Sequence, residues 1–193
     1  MQLTDIPHHG NVKGRLGGSR IEYLGSSIGG RVVSMRRRDK EITDRREIDA
    51  IIRAAQVCRI ALARGDEPYV VPVSFGYDGE NLFIHTAKSG RKIEFFEANS
   101  RVCFEVENNV SLKTDDRDAC TWTFEFESVI GYGTITELAT SADRVRGLNQ
   151  IMLHDSGREW DIDKEATATT RVWKVAIESV TGKRSLEKPG VSV

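Results

Sequence analysis

The segment TWTFEFESVIGYGTITEL, residues 121–138, constrains the fold more than any other stretch of the chain. It alternates with the period of a strand and is rich in β-branched and aromatic residues. Gly131 and Gly133 inside it predict a bend or bulge of the kind that barrels use to turn corners. Shorter strand patterns surround it: CRIALAR (58–64), YVVPVSFGY (69–77), LFIHTA (82–87), RVCFEVE (101–107) and TRVWKVAIESVTGK (170–183). Strands in meander order with few helices predict a mainly β chain folded as a small antiparallel barrel. A doubly wound sheet would need a regular alternation of strands and helices, which this chain lacks. It also lacks a G-x-G-x-x-G fingerprint and a P-loop.

Three helices punctuate the strands. Asp44 predicts an N-cap, with Glu47 three residues on as a capping-box partner, and Ile48, Ile51, Ile52 and Ala55 as the buried face. A short helix follows Ser89–Gly90, with Ile93, Phe95 and Phe96 apolar. Residues 141–155 place Val145, Leu148, Ile151 and Met152 on one side. DGEN (78–81) reads as a hairpin turn, and NNVSLKTDDRDA (108–119) as a polar loop. Pro72 cannot donate to a ladder. Its place is therefore an edge, a bulge, or a point where the backbone serves something other than a sheet.

A net charge of −1 gives no basic field for nucleic acid, and no apolar run reaches the roughly 18–20 residues of a membrane span. The three cysteines, Cys58, Cys103 and Cys120, lack paired zinc-site spacing, so no metal is expected. Cys58 and Cys103 lie in apolar alternations and read as buried thiols suited to a reducing cytoplasm. Residues 1–34 are rich in Gly and Ser without sustained periodicity, and are expected to be a flexible extension preceding a domain at 35–186 and a tail at 187–193.

The stretch HTAKSGRKIEFF (85–96) poses a chemical question. A helix N-terminus is about half a charge positive and favours anions, yet Lys88, Arg91 and Lys92 crowd this one. An anion resolves the conflict. Free N–H groups, the helix dipole and basic side chains would act together on a phosphate, and Gly90 would allow close approach. The plainer alternative is a solvated basic surface, with Glu94 and Glu97 at hand to pair with it.

The order EPYVVPVSFGYDGENLFIHTAKSGRKIEFFEANSRVCFEVE, then SVIGYGTI, then VWKVAIESVTGKRS resembles the pyridoxamine 5′-phosphate oxidase-related split-barrel flavoproteins. Within them the chain is most similar to the nitroimidazole-resistance (Nim-type) branch. The resemblance implies a six-stranded antiparallel split barrel that binds FMN at a homodimer interface. It places the flavin-facing backbone on Val70, Val71, Pro72, Val73 and Ser74, through to Phe75. The next two ligand contacts would be His85 and Thr86. Arg91 and Lys92 would form the phosphate pair, with Lys88 beside them. Ser128 would be a polar contact where the oxidases usually carry Gln, and Trp173 would join a site built from both subunits.

The oxidases' substrate motif of Arg, two residues and His is missing from the C-terminal TGKRSLEKPGVSV. Vitamin oxidation is therefore not implied. The branch implies reduction of a small substrate, nitroaromatics being its example, with His85 beside the flavin handing over a proton. Trp122, Phe124 and Trp173 are candidates for the walls of the acceptor pocket, although aromatics in such positions are more often plain core. The rival readings are a non-catalytic binder of FMN, haem or a deazaflavin on the same fold, and an interaction module without a cofactor.

Overall fold

The computed structural model describes residues 35–163 and 165–185; the expected extension at 1–34 and tail at 187–193 lie outside them. Eight strands and three α-helices follow in order: β1 (Glu41–Ile42), α1 (Arg45–Ala54), β2 (Cys58–Arg64), β3 (Glu67–Val73), β4 (Gly76–Tyr77), β5 (Asn81–Thr86), α2 (Arg91–Ala98), β6 (Arg101–Lys113), β7 (Thr123–Glu137), α3 (Ser141–Ser156) and β8 (Arg171–Arg184). All pairings are antiparallel, in the order β3-β2-β6-β7-β8-β5-β4, with β1 on β8. The six longer strands are those of a split barrel; β1 and β4 are two-residue additions.

Alternation explains the core. β2 turns Cys58, Ile60 and Leu62 inward, and β6 does the same with Val102, Phe104 and Val106. Each fully buried aliphatic or aromatic side chain contributes roughly 1.5–3 kcal/mol. α2 bridges β3 and β8. Its Phe95 packs on Tyr69 of β3 and its Phe96 on Trp173 of β8, both with ring centroids 5.0 Å apart. Gly131 gives the Phe104 ring its space, since a Cβ there would sit 2.2 Å from the ring. The expected irregularity in β7 is a shift in the β7–β8 register between Tyr132 and Gly133.

Several local expectations change. Asp44 caps α1 through the N–H of Arg46, but Glu47 does not complete a capping box; it pairs with Arg184 at 3.0 Å. The single strand expected at 69–77 divides into β3 and β4, because α3 crosses directly over Gly76. Pro72 is on an edge: β3 is the terminal strand and pairs only with β2. The loop expected at 108–119 is strand as far as Lys113, with a shifted register between Asn108 and Ser111, where Asn109 has φ 55°. β6 and β7 go on pairing with each other there after their other neighbours have ended.

The three thiols differ sharply. Cys58 is fully buried, and burial pushes its pKa up to about 12; Cys103, expected to be buried, is only half-buried, and Cys120 is exposed. Native protein treated with a maleimide at neutral pH should therefore be modified at Cys120 and spared at Cys58, which peptide mass spectrometry reads directly. Rapid labelling of Cys58 would mean that the barrel wall opens easily. Among the described residues no helix is long and apolar enough to cross a membrane.

Candidate functional site

Two chain segments converge where α2 begins. On β3, Val70 (59% exposed) and Pro72 face outward, as does Ser74 just past its end, while Val73 faces the core and Val71 is half-buried. β3 ends the sheet, so one edge of its backbone has no ladder partner. Ser74 Oγ donates to Asp155 Oδ2 at 2.9 Å, tying the end of β3 to the last turn of α3. The same turn places His154 against Phe75, with ring centroids 4.3 Å apart, and its Nε2 2.7 Å from the Ala55 carbonyl oxygen.

β5 delivers the second segment. Ile84 and Thr86 point inward and His85 outward, exposed to solvent. Thr86 is 4% exposed; its hydroxyl donates to the Ala87 carbonyl at 2.9 Å and accepts from Trp173 Nε1 at 3.0 Å. Thr86 thus secures the strand end from inside. Trp173, expected among the cofactor contacts, is a core residue: 4% exposed, packed at a tilt against Phe96 and donating to Thr86. Trp122 and Phe124 are neither core nor pocket wall within this chain, at 49% and 55% exposed.

Gly90 begins α2 with φ 138°, and no side chain caps the helix. A Cβ on Gly90 would meet nothing within 4 Å, so the approach to the first-turn N–H groups is open. Arg91 donates to Glu67 at 2.6 Å and lies over the Tyr69 ring at 5.1 Å. Glu67 also accepts from Arg64 at 2.9 Å, and these guanidiniums, Arg64 first, hold its carboxyl below the usual range. The pairs expected of a plain solvated surface do not form: Glu94 binds Arg64 at 3.2 Å and Glu97 binds Arg171 at 2.8 Å. Lys88 and Lys92 have no ion pair among the described residues.

Ser128 stands apart. It lies half-buried on β7, opposite Glu107 and Lys183, three strands from β3 in the sheet order. At about 4.8 Å per strand that is some 14 Å. A cleft of about 680 Å³ also lies away from α2, lined by residues that include Glu47, Ile51, Arg59, Glu107, Asn109 and Arg184. Its arginines are already engaged, Arg59 with Glu107 at 3.0 Å and Arg184 with Glu127 at 2.6 Å. The open surface at α2 is therefore the stronger candidate, because two of its three cations, Lys88 and Lys92, are not engaged in ion pairs among the described residues, although Arg91 pairs with Glu67. Glu67 and Asp155 were not among the expected site residues. Each acts through a contact between segments distant in the chain, which leaves no local signature.

Known proteins bear on this arrangement. The pyridoxamine 5′-phosphate oxidase family model matches residues 44–184. A proposed 5-nitroimidazole antibiotic resistance protein from Bacteroides thetaiotaomicron is 28% identical, covering 74% of this chain and 85% of that one at a TM-score of 0.66. The flavocytochrome Anf3 from Azotobacter vinelandii is 19% identical at a TM-score of 0.68, covering 82% of this chain and 75% of its own, and shows the shared fold. So does an FAD and heme binding protein from Mycobacterium smegmatis, 20% identical over 79% of this chain and 77% of that one, at 0.68. The curated Rhizobium meliloti protein RA0666 is 28% identical over 65 residues, 34% of this chain and 42% of that relative, so the match spans less than half the relative's length. The family match covers most of the chain and all of the sheet's longer strands: the chain belongs to the pyridoxamine 5′-phosphate oxidase family.

Proposed function

We propose that this protein is an FMN-dependent oxidoreductase of the Nim-like kind, reducing a small acceptor such as a nitroaromatic compound, and acting as a cytoplasmic homodimer. One observation carries the reading. The uncapped, open start of α2 brings Lys88, Arg91 and Lys92 beside the unpaired edge of β3. The residues suit FMN: a dianionic phosphate accepts from the first-turn N–H groups and the three cations. A flat ring suits the exposed edge at Val70, Pro72 and Ser74. When bound, the flavin supplies the electrons or hydride.

The chain's own residues do the rest. Lys88, Arg91 and Lys92 anchor the phosphate. Asp155 holds the Ser74 hydroxyl, and the Thr86–Trp173 bond fixes the end of β5 so that His85 projects outward next to the site. From there His85 delivers a proton to the reduced product. An open surface is what a site completed by a second subunit presents, and Ser128, far from β3 in its own chain, fits a contact made from the other subunit.

The absorption spectrum of freshly purified protein tests the cofactor, since flavin, deazaflavin and haem absorb differently. Turnover with reduced nicotinamide and a nitroaromatic then separates an enzyme from a carrier. A flavin spectrum with turnover is expected. A haem spectrum would overturn the FMN assignment, and flavin without turnover would favour a non-catalytic binder.

A further inference from the structure

The two elements that frame the candidate site each begin with a charged residue, and those residues bind each other. Glu67 is the first residue of β3, the strand with the unpaired edge, and Arg91 is the first residue of α2. Arg91 Nη2 donates to Glu67 Oε1 at 2.6 Å. Glu67 Oε2 accepts from Arg64 Nη2 at 2.9 Å, and Arg64 Nη1 donates to Glu94 Oε2 at 3.2 Å. Glu94 lies about one turn along α2 from Arg91. Four charges thus form a circuit, Arg91–Glu67–Arg64–Glu94, that starts and ends on the helix. Aromatic rings lie beneath it. Tyr69 and Phe95 pack with centroids 5.0 Å apart, Arg91 lies over Tyr69 at 5.1 Å, and Arg64 lies over Phe95 at 4.9 Å.

Ion pairs this exposed contribute little to stability. What the circuit fixes is position. A free arginine side chain samples many rotamers, and ordering it on a ligand costs affinity. Arg91 is already held at one terminal nitrogen and against one ring face. The hold is single-ended, because the second Glu67 oxygen belongs to Arg64. Nε and Nη1 of Arg91 have no hydrogen bond among the described residues. A planar guanidinium can keep a carboxylate on one nitrogen and offer the others to a phosphate, a fixed bridging geometry that the point charge of an ammonium does not provide. Arg64, and after it Arg91, hold the Glu67 carboxyl below its usual range, so it is fully ionised at neutral pH.

We propose that Glu67 is a positioning residue for the ligand's phosphate: it holds the Arg91 guanidinium at the start of α2 with Nε and Nη1 left for the phosphate oxygens, and it ties the helix that meets the phosphate to the strand that meets the ring. This rests on reading the start of α2 as a phosphate site. Charge alone would give Glu67 the opposite effect. A carboxylate beside a phosphate repels it, so removing a Glu67 that merely neutralised Arg91 would strengthen binding. Removing a Glu67 that aims Arg91 weakens binding.

The test compares FMN and riboflavin affinities, followed by flavin fluorescence, in the wild type and in E67A, E67Q, E94A, R91A and E67A/R91A, with circular dichroism to check the fold of each. FMN affinity should fall about three- to tenfold in E67A, the cost of ordering one long side chain, while riboflavin affinity holds. E67Q keeps an oxygen that can accept from Arg91 and should lose less. E94A loosens Arg64 without touching Arg91 and should stay within about twofold of the wild type for FMN. In the R91A background, removing Glu67 should cost nothing further, because Glu67 acts through Arg91. FMN binding in E67A as tight as in the wild type or tighter, equal losses of both ligands in E67A, an E94A loss as large as that of E67A, or a further loss from R91A to E67A/R91A would each overturn the proposal and leave the phosphate reading standing. A wild type that binds riboflavin as tightly as FMN would overturn the phosphate reading itself, and the role of Glu67 with it.

Discussion

Replacing Arg91 and Lys92 together by Ala weakens FMN binding by at least about a hundredfold and leaves riboflavin binding nearly unchanged. Hydrogen bonds to charged groups contribute roughly 1.5–3 kcal/mol each. Losing two amounts to about 3 kcal/mol or more, and about 1.4 kcal/mol is tenfold. Riboflavin has no phosphate and so draws nothing from either cation. The effect on the protein itself is small. Arg91 gives up an exposed pair with Glu67, 2.6 Å long, and its place over the Tyr69 ring. An exposed pair is worth about 0–1 kcal/mol and an exposed cation–π contact about 0.5–1. Removing two cations from the positive end of α2 returns a similar amount. Glu67 keeps Arg64 as a partner, so no carboxylate is stranded. The thermal midpoint of the cofactor-free protein should therefore move by only a few degrees. Parallel titrations with FMN and riboflavin, plus a melting curve, decide the matter. Equal losses for both ligands would mean general disturbance of the site, and no loss for either would make Arg91 and Lys92 ordinary surface charges.

Gly76→Ala is the second large effect. The added methyl would lie 2.3 Å from the Gln150 carbonyl carbon and 2.5 Å from the Ile151 nitrogen, both backbone atoms of α3. Backbone cannot step aside by changing rotamer, so the helix must shift or β4 must bend. Overpacking of this kind costs typically 1–3 kcal/mol. For a domain of this size each kcal/mol moves the midpoint by about 2–4 °C, so a drop of roughly 2–12 °C is expected. The same α3 carries Asp155, bound to Ser74, and His154, packed against Phe75. A displaced α3 should therefore also lower FMN affinity. A variant melting within about 2 °C of the wild type would show that α3 is loosely docked and does not brace the β3 end.

The elements that bury one face were legible in the chain alone. β2 spans Cys58–Arg64 because Cys58, Ile60 and Leu62 alternate, and α3 spans Ser141–Ser156 because its apolar side recurs at helical spacing. Burial of a single face imposes a period, and a period is written locally. The basic start of α2 was legible for a related reason: its conflict with the helix dipole is confined to a few consecutive residues. The outer end of β6 was not. Residues 109–113 are exposed on both faces within this chain, so no period was imposed there, and Asn108–Lys113 read as a polar loop until β7 paired with it. The partners of the site residues were also beyond reach, since Glu67 meets Arg91 across 24 positions and Trp173 meets Thr86 across 87. Sequence by itself determined most of the strands and helices and where positive charge gathers. Only the tertiary structure decided what that charge faces, which aromatics are core, and that Ser128 lies three strands from β3. Those are matters of strand order and register, which depend on contacts between distant segments and leave no trace in any short stretch of the chain.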